Sequence, residues 1–155
     1  KMRNKYIFNV TFIICAFNLI TAYSDTIRIS SEKLNVYRDS NISVFSGNVY
    51  AEDDNIKLWS EKISIFYDET SKSIYEIIAE NNVKIIVNDV TAYGNFSKYQ
   101  FDNEKLLLEG DVVVIEKDNK IQGDQLILDL INSTSIMTSK SKSRVTAQIN
   151  KLDNE

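Results

Sequence analysis

Carboxylates and lysines supply most of the chemistry available to this 155-residue sequence, since it has no histidine and a single cysteine, Cys15. A Ser-His-Asp or Cys-His nucleophile, a zinc site of His and Cys ligands and an internal disulfide cannot be built from it. Two acidic groups stand out. The run 52–55, which is Glu52, Asp53, Asp54 and Asn55, could offer oxygen ligands to calcium. Asp111 with Asp124 could form the carboxylate pair of a glycosidase.

Both acidic groups are more typical of turns than of a calcium site or a catalytic carboxylate pair. The run 52–55 lacks a loop with ligands at alternate positions, so we interpret it as an acidic hairpin turn. Asp111 and Asp124 occupy positions of the internal repeat described below, where turn residues recur. We therefore expect no enzymatic activity, no metal and no cofactor; a β-solenoid glycosidase or lyase stays as an alternative.

The charge balance opposes binding of nucleic acid. Beyond the first 24 residues, 15 basic and 22 acidic residues give a net charge of −7, whereas phosphate recognition needs a basic surface. Lys140, Lys142 and Arg144 form a small basic group that could contact lipid phosphates. Lysines beside a terminal strand more often protect a sheet edge, so we favour that role.

The amino-terminal segment has the order of a secretory signal. Lys1, Arg3 and Lys5 precede a mostly apolar run over 6–20, and small residues follow it. We predict cleavage after Ser24, which makes 1–24 a signal peptide and leaves a single domain over 25–155. A retained membrane anchor is the alternative, although the run is shorter than the roughly 20 apolar residues that a spanning helix needs.

Beyond the signal segment, apolar and polar residues alternate over runs of about five to seven residues, which is typical of strands with one apolar face. The turn-forming clusters RDSN, EDDN, DETSKS, EKDNK and INSTS separate these runs. No longer stretch carries an apolar stripe of helical spacing. We predict an all-β, antiparallel fold of about twelve short strands.

The chain also repeats itself. Val49, Val83, Val112 and Val145 align, at spacings of 34, 29 and 33 residues. All four glycines fall in two columns of this frame: Gly47 and Gly110 lie two residues before the aligned valine, and Gly94 and Gly123 lie eleven after it. The remaining slots hold small or turn-tolerant residues: Ser60, Asn81 and Ser143. We predict a bend or bulge at both columns, and stacking of repeats that cannot bury their own faces.

Short motifs in this frame resemble a known family. FSGNV begins at Phe45, an alternating strand follows, NKIQGDQLIL begins at Asn119, and KSRVTA begins at Lys142. In this order behind a signal segment, they resemble the OstA-like periplasmic proteins of lipopolysaccharide transport, most of all the LptA family. The resemblance covers about residues 26 to 150, nearly all of the expected mature chain.

This resemblance implies an open, twisted antiparallel β-jellyroll whose two sheets form a V and hold the acyl chains of lipid A. It implies a periplasmic bridge that carries lipopolysaccharide between the inner and outer membranes. The expected partners are lipopolysaccharide, further copies joined head to tail, and inner- and outer-membrane transport components with similar β-jellyroll domains. A membrane-anchored LptC-like component and a structural or adhesive β-protein without ligand are the alternatives.

One aliphatic stripe would line such a groove. Projecting the repeat onto one sheet face, with neighbouring apolar residues, gives the expected lining: Leu34, Val36, Phe45, Val49, Ala51, Leu58, Ile63, Ile65, Val83, Ile85, Val87, Phe101, Val112, Val114, Leu126, Leu128, Val145 and Ala147. Acyl chains need apolar walls, worth about 25 cal/mol per Å² buried, and an ordinary dry β-sandwich core would give the same stripe. The other aromatic residues scatter over both faces, so we expect them to pack rather than to form a sugar-binding platform.

Overall fold

The computed structural model describes residues 26–140 and 143–150, and every regular element within these ranges is a β-strand. The ten strands are β1 (Arg28–Ser30), β2 (Lys33–Tyr37), β3 (Ile42–Glu52), β4 (Ile56–Tyr67), β5 (Ile74–Val87), β6 (Val90–Gln100), β7 (Lys105–Glu116), β8 (Asn119–Asp129), β9 (Thr134–Thr138) and β10 (Thr146–Gln148). No helix in this part of the chain has the length and apolarity needed to cross a membrane. The predicted signal peptide and Lys142 lie outside the described residues.

All the strands form one antiparallel sheet. β3 to β8 are a meander in which each strand pairs with the next; β1 and β2 both pair with β3, and β9 and β10 both pair with β8. The all-β prediction is confirmed, and the predicted turn clusters lie between strands. The predicted short strands, however, are halves of longer ones, because β3 to β8 contain 11 to 14 residues each.

A line of β-bulges crosses the middle of these long strands. The register shifts between Ser46 and Val49 in the β3–β4 pair, and equivalent shifts recur in every pair up to β7–β8. We call this line the fold line. It divides the sheet into a lower half, which contains β2 and β9, and an upper half, which contains β1 and β10.

Strands that run from the lower to the upper half cross the fold line through two consecutive residues of positive φ. These residues are Gly47 (82°) and Asn48 (46°) in β3, Asn81 (66°) and Asn82 (53°) in β5, and Gly110 (87°) and Asp111 (49°) in β7. Glycine and asparagine tolerate this conformation better than most residues. This conformation explains the first glycine column and the asparagine that replaces glycine at position 81.

The strands that run from the upper to the lower half, β4, β6 and β8, cross the fold line through a single residue. That residue faces the two residues of positive φ in the neighbouring strand. The second glycine column lies just before that residue, on the inside of the fold. A Cβ at Gly94 would lie 2.7 Å from Cδ1 of Leu108, and one at Gly123 would lie 2.7 Å from Cγ of Met137. Close packing therefore requires small residues here, and the predicted bends at both columns are confirmed.

The core lies between the two halves, beside the fold line. Six apolar residues are at most 1% exposed: Val49, Ile63, Ala79, Val83, Leu108 and Val112. Four further residues are buried: Leu126 lies in the lower row nearest the line, and Ala51, Ile65 and Ile85 lie one row farther out. Farther out, apolar residues such as Leu106 and Val87 are only partly buried against this core. The interior is thus closed at the fold line and opens away from it.

Gly110 tests the role of the fold line. Its φ of 87° strains any residue with a Cβ, which would also lie 2.7 Å from Cβ of Asn95. We expect Gly110→Ala to lower the free energy of unfolding by about 1–3 kcal/mol in urea titrations. The matched change Asn81→Gly, where φ is 66°, should shift it by less than about 1 kcal/mol. Equal losses in the two variants would contradict this interpretation.

Candidate functional site

The register brings the predicted groove residues that belong to strands, all except Phe101 and Val145, onto one face, which we call the inner face. In the upper half, a row of paired apolar residues crosses the sheet: Ile29, Ala51, Leu58, Ile85, Ala92, Val114, Ile121 and Ala147. In the lower half, the row nearest the fold line is Leu34, Phe45, Ile63, Ala79, Ser97, Leu108, Leu126 and Met137. The two rows lie on opposite sides of the fold line, so the two halves enclose one apolar interior.

The predicted lining residues differ widely in exposure. Eight are buried: Val49, Ala51, Ile63, Ile65, Val83, Ile85, Val112 and Leu126. Five are partly buried against this core: Phe45, Leu58, Val87, Val114 and Leu128. Five are exposed at the sheet ends or in the turn after β6: Leu34, Val36, Val145, Ala147 and Phe101. The Phe101 ring packs edge-on against Tyr99, with ring centres 4.8 Å apart.

Sequence reasoning missed several inner-face residues, notably Ala79, Ile77, Leu106 and Leu108. The three consecutive leucines at 106–108 conceal the alternation. The repeat frame could have found these positions, because Phe45, Ala79 and Leu108 each lie four residues before an aligned valine.

The inner face contains very few polar groups. In the two inner-face rows nearest the fold line in each half, the only polar side chains carry hydroxyl groups, and no side chain is charged. Ser43 and Ser97 are buried there, and burial raises the pKa of the Tyr99 phenol, with a smaller contribution from the charge of Glu104. Tyr99 therefore stays protonated at neutral pH, and the interior suits an apolar ligand.

Charged side chains pair on the opposite, outer face. Nζ of Lys62 lies 2.7 Å from a Glu80 carboxylate oxygen, and Nζ of Lys105 lies 3.6 Å from one of Asp129. Both pairs join residues that face each other on neighbouring strands. Because these side chains remain partly exposed to solvent, such pairs contribute little to stability, but they keep charge away from the apolar interior.

Comparison with known families agrees with this geometry. Residues 28–134 match the model described as LptA/(LptD N-terminal domain) LPS transport protein. The chain belongs to this family. The predicted OstA-like relationship is therefore confirmed, and the match covers well over half of the chain.

Solved structures support the LptA-like fold. The chain is similar to LptH, the LptA homologous periplasmic component of the conserved lipopolysaccharide transport device from Pseudomonas aeruginosa. The TM-score is 0.71 at 14% sequence identity, and the alignment covers 82% of this chain and 96% of that chain. This similarity confirms the predicted β-jellyroll. Comparison with curated proteins gives no match.

The first of the two acidic groups is a turn in this LptA-like fold. Oδ1 of Asp53 accepts hydrogen bonds from the backbone N–H groups of Asn55 and Ile56, both at 2.7 Å. This arrangement closes the β3–β4 hairpin and confirms the predicted acidic turn. In residues 26–140 and 143–150, no three His, Cys, Asp or Glu side chains cluster in a way that could hold a metal ion.

The second acidic group lies at one bulge, where Asp111 on β7 faces Asp124 on β8 across the strand pair. Asp111 is exposed and has positive φ, as expected for a turn-like residue. Oδ2 of Asp124 accepts hydrogen bonds from the backbone N–H of Lys140 and from the Ser143 hydroxyl. Asp124 therefore binds Lys140, which follows β9, and Ser143, which precedes β10.

We expect this contact to control the last strand. The hydrogen bonds from Lys140 and Ser143 lower the pKa of Asp124 below its ordinary 3.8. The stabilisation is thus present above pH 3.8 and is lost as the pH falls through the lowered value. Asp124→Ala should increase hydrogen exchange of residues 143–150 at neutral pH, with exchange of β5 unchanged. Asp118→Ala, in the β7–β8 turn, is the control; equal exchange of 143–150 in both variants would contradict the role of Asp124.

Proposed function

We propose that this protein carries lipopolysaccharide through the periplasm by holding lipid A acyl chains between the two halves of its folded sheet. The observation that supports this most directly is the inner face, which has no charged side chain in the two rows nearest the fold line on each side and becomes less buried away from that line. Membership of the LPS transport family supports the cargo. The similarity to LptH, a periplasmic component, supports the compartment.

Both ends of the inner face leave apolar side chains uncovered. Leu34 and Val36 on β2 are 51% and 58% exposed, and Ile121 and Val145 near the other end are 37% and 43% exposed. Covering such surface with an acyl chain would gain about 25 cal/mol per Å². Affinity would then come from the area of contact, without any specific polar group.

Longer acyl chains need the partly closed interior to widen. Ladder hydrogen bonds lie within each half, because pairing is interrupted at the fold line. The halves can therefore hinge about the bulges without breaking the ladders of either half. Hinging would expose buried inner-face residues of both halves, namely Ala51, Ile65, Ile85 and Leu126, and leave the strands intact. The carrier would then have a closed state without cargo.

Two isoleucines of β8 offer a matched test. Ile121 pairs with Val114 on the inner face and is 37% exposed, whereas Ile127 pairs with Leu107 on the outer face and is 36% exposed. We expect Ile121→Asp to reduce capture of lipid A in a pull-down about tenfold or more, because an acyl chain would have to desolvate the carboxylate. Ile127→Asp should retain wild-type capture.

Circular dichroism must show the same β-sheet content in both variants. If both folded variants capture lipid A as the wild type does, or if both lose capture, the proposed acyl-chain groove on the inner face is contradicted. Absence of capture by the wild-type protein would favour the structural β-protein without ligand.

We also propose that copies join head to tail. Within the described residues, no strand covers the outer edges of β1 and β2 or of β9 and β10. Joining β9 to the next copy's β2, and β10 to its β1, would continue both halves and align the inner faces. Because the two joined edges differ, such a contact extends rather than closes.

Charge at these edges works against assembly. Lys33 lies at one end of the sheet and Lys140 and Arg144 lie near the other, so copies of this chain would bring like charges together. Arg28 is partly neutralised, since Nη1 lies 3.7 Å from a Glu52 carboxylate oxygen. If repulsion wins, the same edges would pair only with membrane components of similar fold.

Light scattering distinguishes the two outcomes. Wild-type mass should grow with protein concentration, and deletion of residues 140–155, which removes β10, should abolish this growth. Val36→Lys at the opposite edge should do the same through an added positive charge. A constant monomer mass for the wild type would contradict self-assembly.

A further inference from the structure

Three aromatic rings converge with a lysine on the outer face of the upper half. The register places Tyr50, Trp59, Lys84 and Tyr93 side by side on β3 to β6. The ring centres of Tyr50 and Trp59 are 5.0 Å apart. Nζ of Lys84 lies 4.9 Å from the centre of the Trp59 ring and 5.9 Å from that of Tyr93. The expectation that aromatic residues would not concentrate is wrong for this cluster, because the pairing register of four neighbouring strands aligns these residues in one row.

A depression of about 550 Å³ lies over this cluster, beside the fold line. Trp59 and Tyr93 form part of its wall together with Val83, Lys84 and Gly94, and Asn82, Asn95 and Asp111 contribute polar groups. Gly110 also contributes to the lining; a side chain here would meet Asn95, so its absence keeps the space open. The depression therefore combines aromatic surface with amide and carboxylate groups, and its aromatic residues lie on the outer face.

We propose that this depression binds an uncharged oligosaccharide. Aromatic rings pack against the apolar faces of sugar rings, and amide and carboxylate groups bond to sugar hydroxyls. Lys84 and Asp111 carry opposite charges, so the lining has no net charge that would favour an anionic or a cationic ligand.

The size and charge of the site narrow the choice of ligand. Trp59 and Tyr93 lie two strands apart, roughly 9.5 Å, which favours more than one sugar ring. Single-stranded nucleic acid also stacks on aromatic rings, but it needs a basic groove, and this chain has a net charge of −4.

Tryptophan fluorescence offers a direct readout, since Trp59 is the only tryptophan of the chain. We would titrate the protein with maltose, cellobiose and N,N′-diacetylchitobiose and follow emission. At least one disaccharide should give a saturable change. Tyr93→Ala should weaken that binding about tenfold, the value of one stacked ring. Tyr93 is 39% exposed, so its removal leaves no buried cavity.

Two controls separate this site from the rest of the molecule. Tyr75→Ala removes a similarly exposed ring that packs near Phe66, far along β5 from Lys84, and should bind sugar as the wild type does. Ile121→Asp, which impairs the proposed acyl-chain groove, should also leave sugar binding unchanged. No saturable change with any of the three sugars, or equal affinity in the wild type and Tyr93→Ala, would overturn the proposal.

Discussion

The line of β-bulges is the constraint on which the whole molecule depends. A ten-stranded sheet with one apolar face must cover that face, and this chain has no helix in its described part to do so. Each bulge sets two residues against one, which bends and twists the strands locally. Because the bulges align from β3 to β8, the local bends add up, and the sheet covers its own apolar face.

The same line fixes which side chains face inward. In a strand that crosses through two residues of positive φ, the inward-facing residues stay an even number apart; Phe45 and Val49 both face inward and are four residues apart. In a returning strand the alternation shifts by one residue at the line; Ser60 and Ile63 both face inward and are three residues apart. A strand with the wrong number of residues at the line would turn half of its apolar side chains to solvent. Glycine, asparagine and aspartate at the crossings thus determine where the aliphatic interior forms.

Much of this design could be predicted from the sequence. The aligned valines and glycine columns located the inner face and the bends, because a repeated structural demand leaves a repeated residue type. Strand continuity could not be predicted, since pairs such as Asn81 and Asn82 are typical of turns and become mid-strand bulges only when neighbouring strands pair across them. Of the five residues by which the first repeat spacing exceeds the second, two arise because the β4–β5 turn, 68–73, is longer than the β6–β7 turn, 101–104. The degree of burial along the inner face and the convergence of Tyr50, Trp59 and Tyr93 depend on tertiary pairing, which a single sequence does not reveal.

The central claim is that lipopolysaccharide lies against the inner face and not the outer face. Leu106 and Leu107 are adjacent on β7; Leu106 packs toward the core, and Leu107 lies on the opposite face. A photoreactive amino acid at each position, irradiated with lipopolysaccharide present, measures which face the lipid contacts. We expect strong crosslinking from position 106 and background crosslinking from position 107. Equal crosslinking from both positions, or crosslinking from 107 alone, would contradict a groove between the two halves of the sheet.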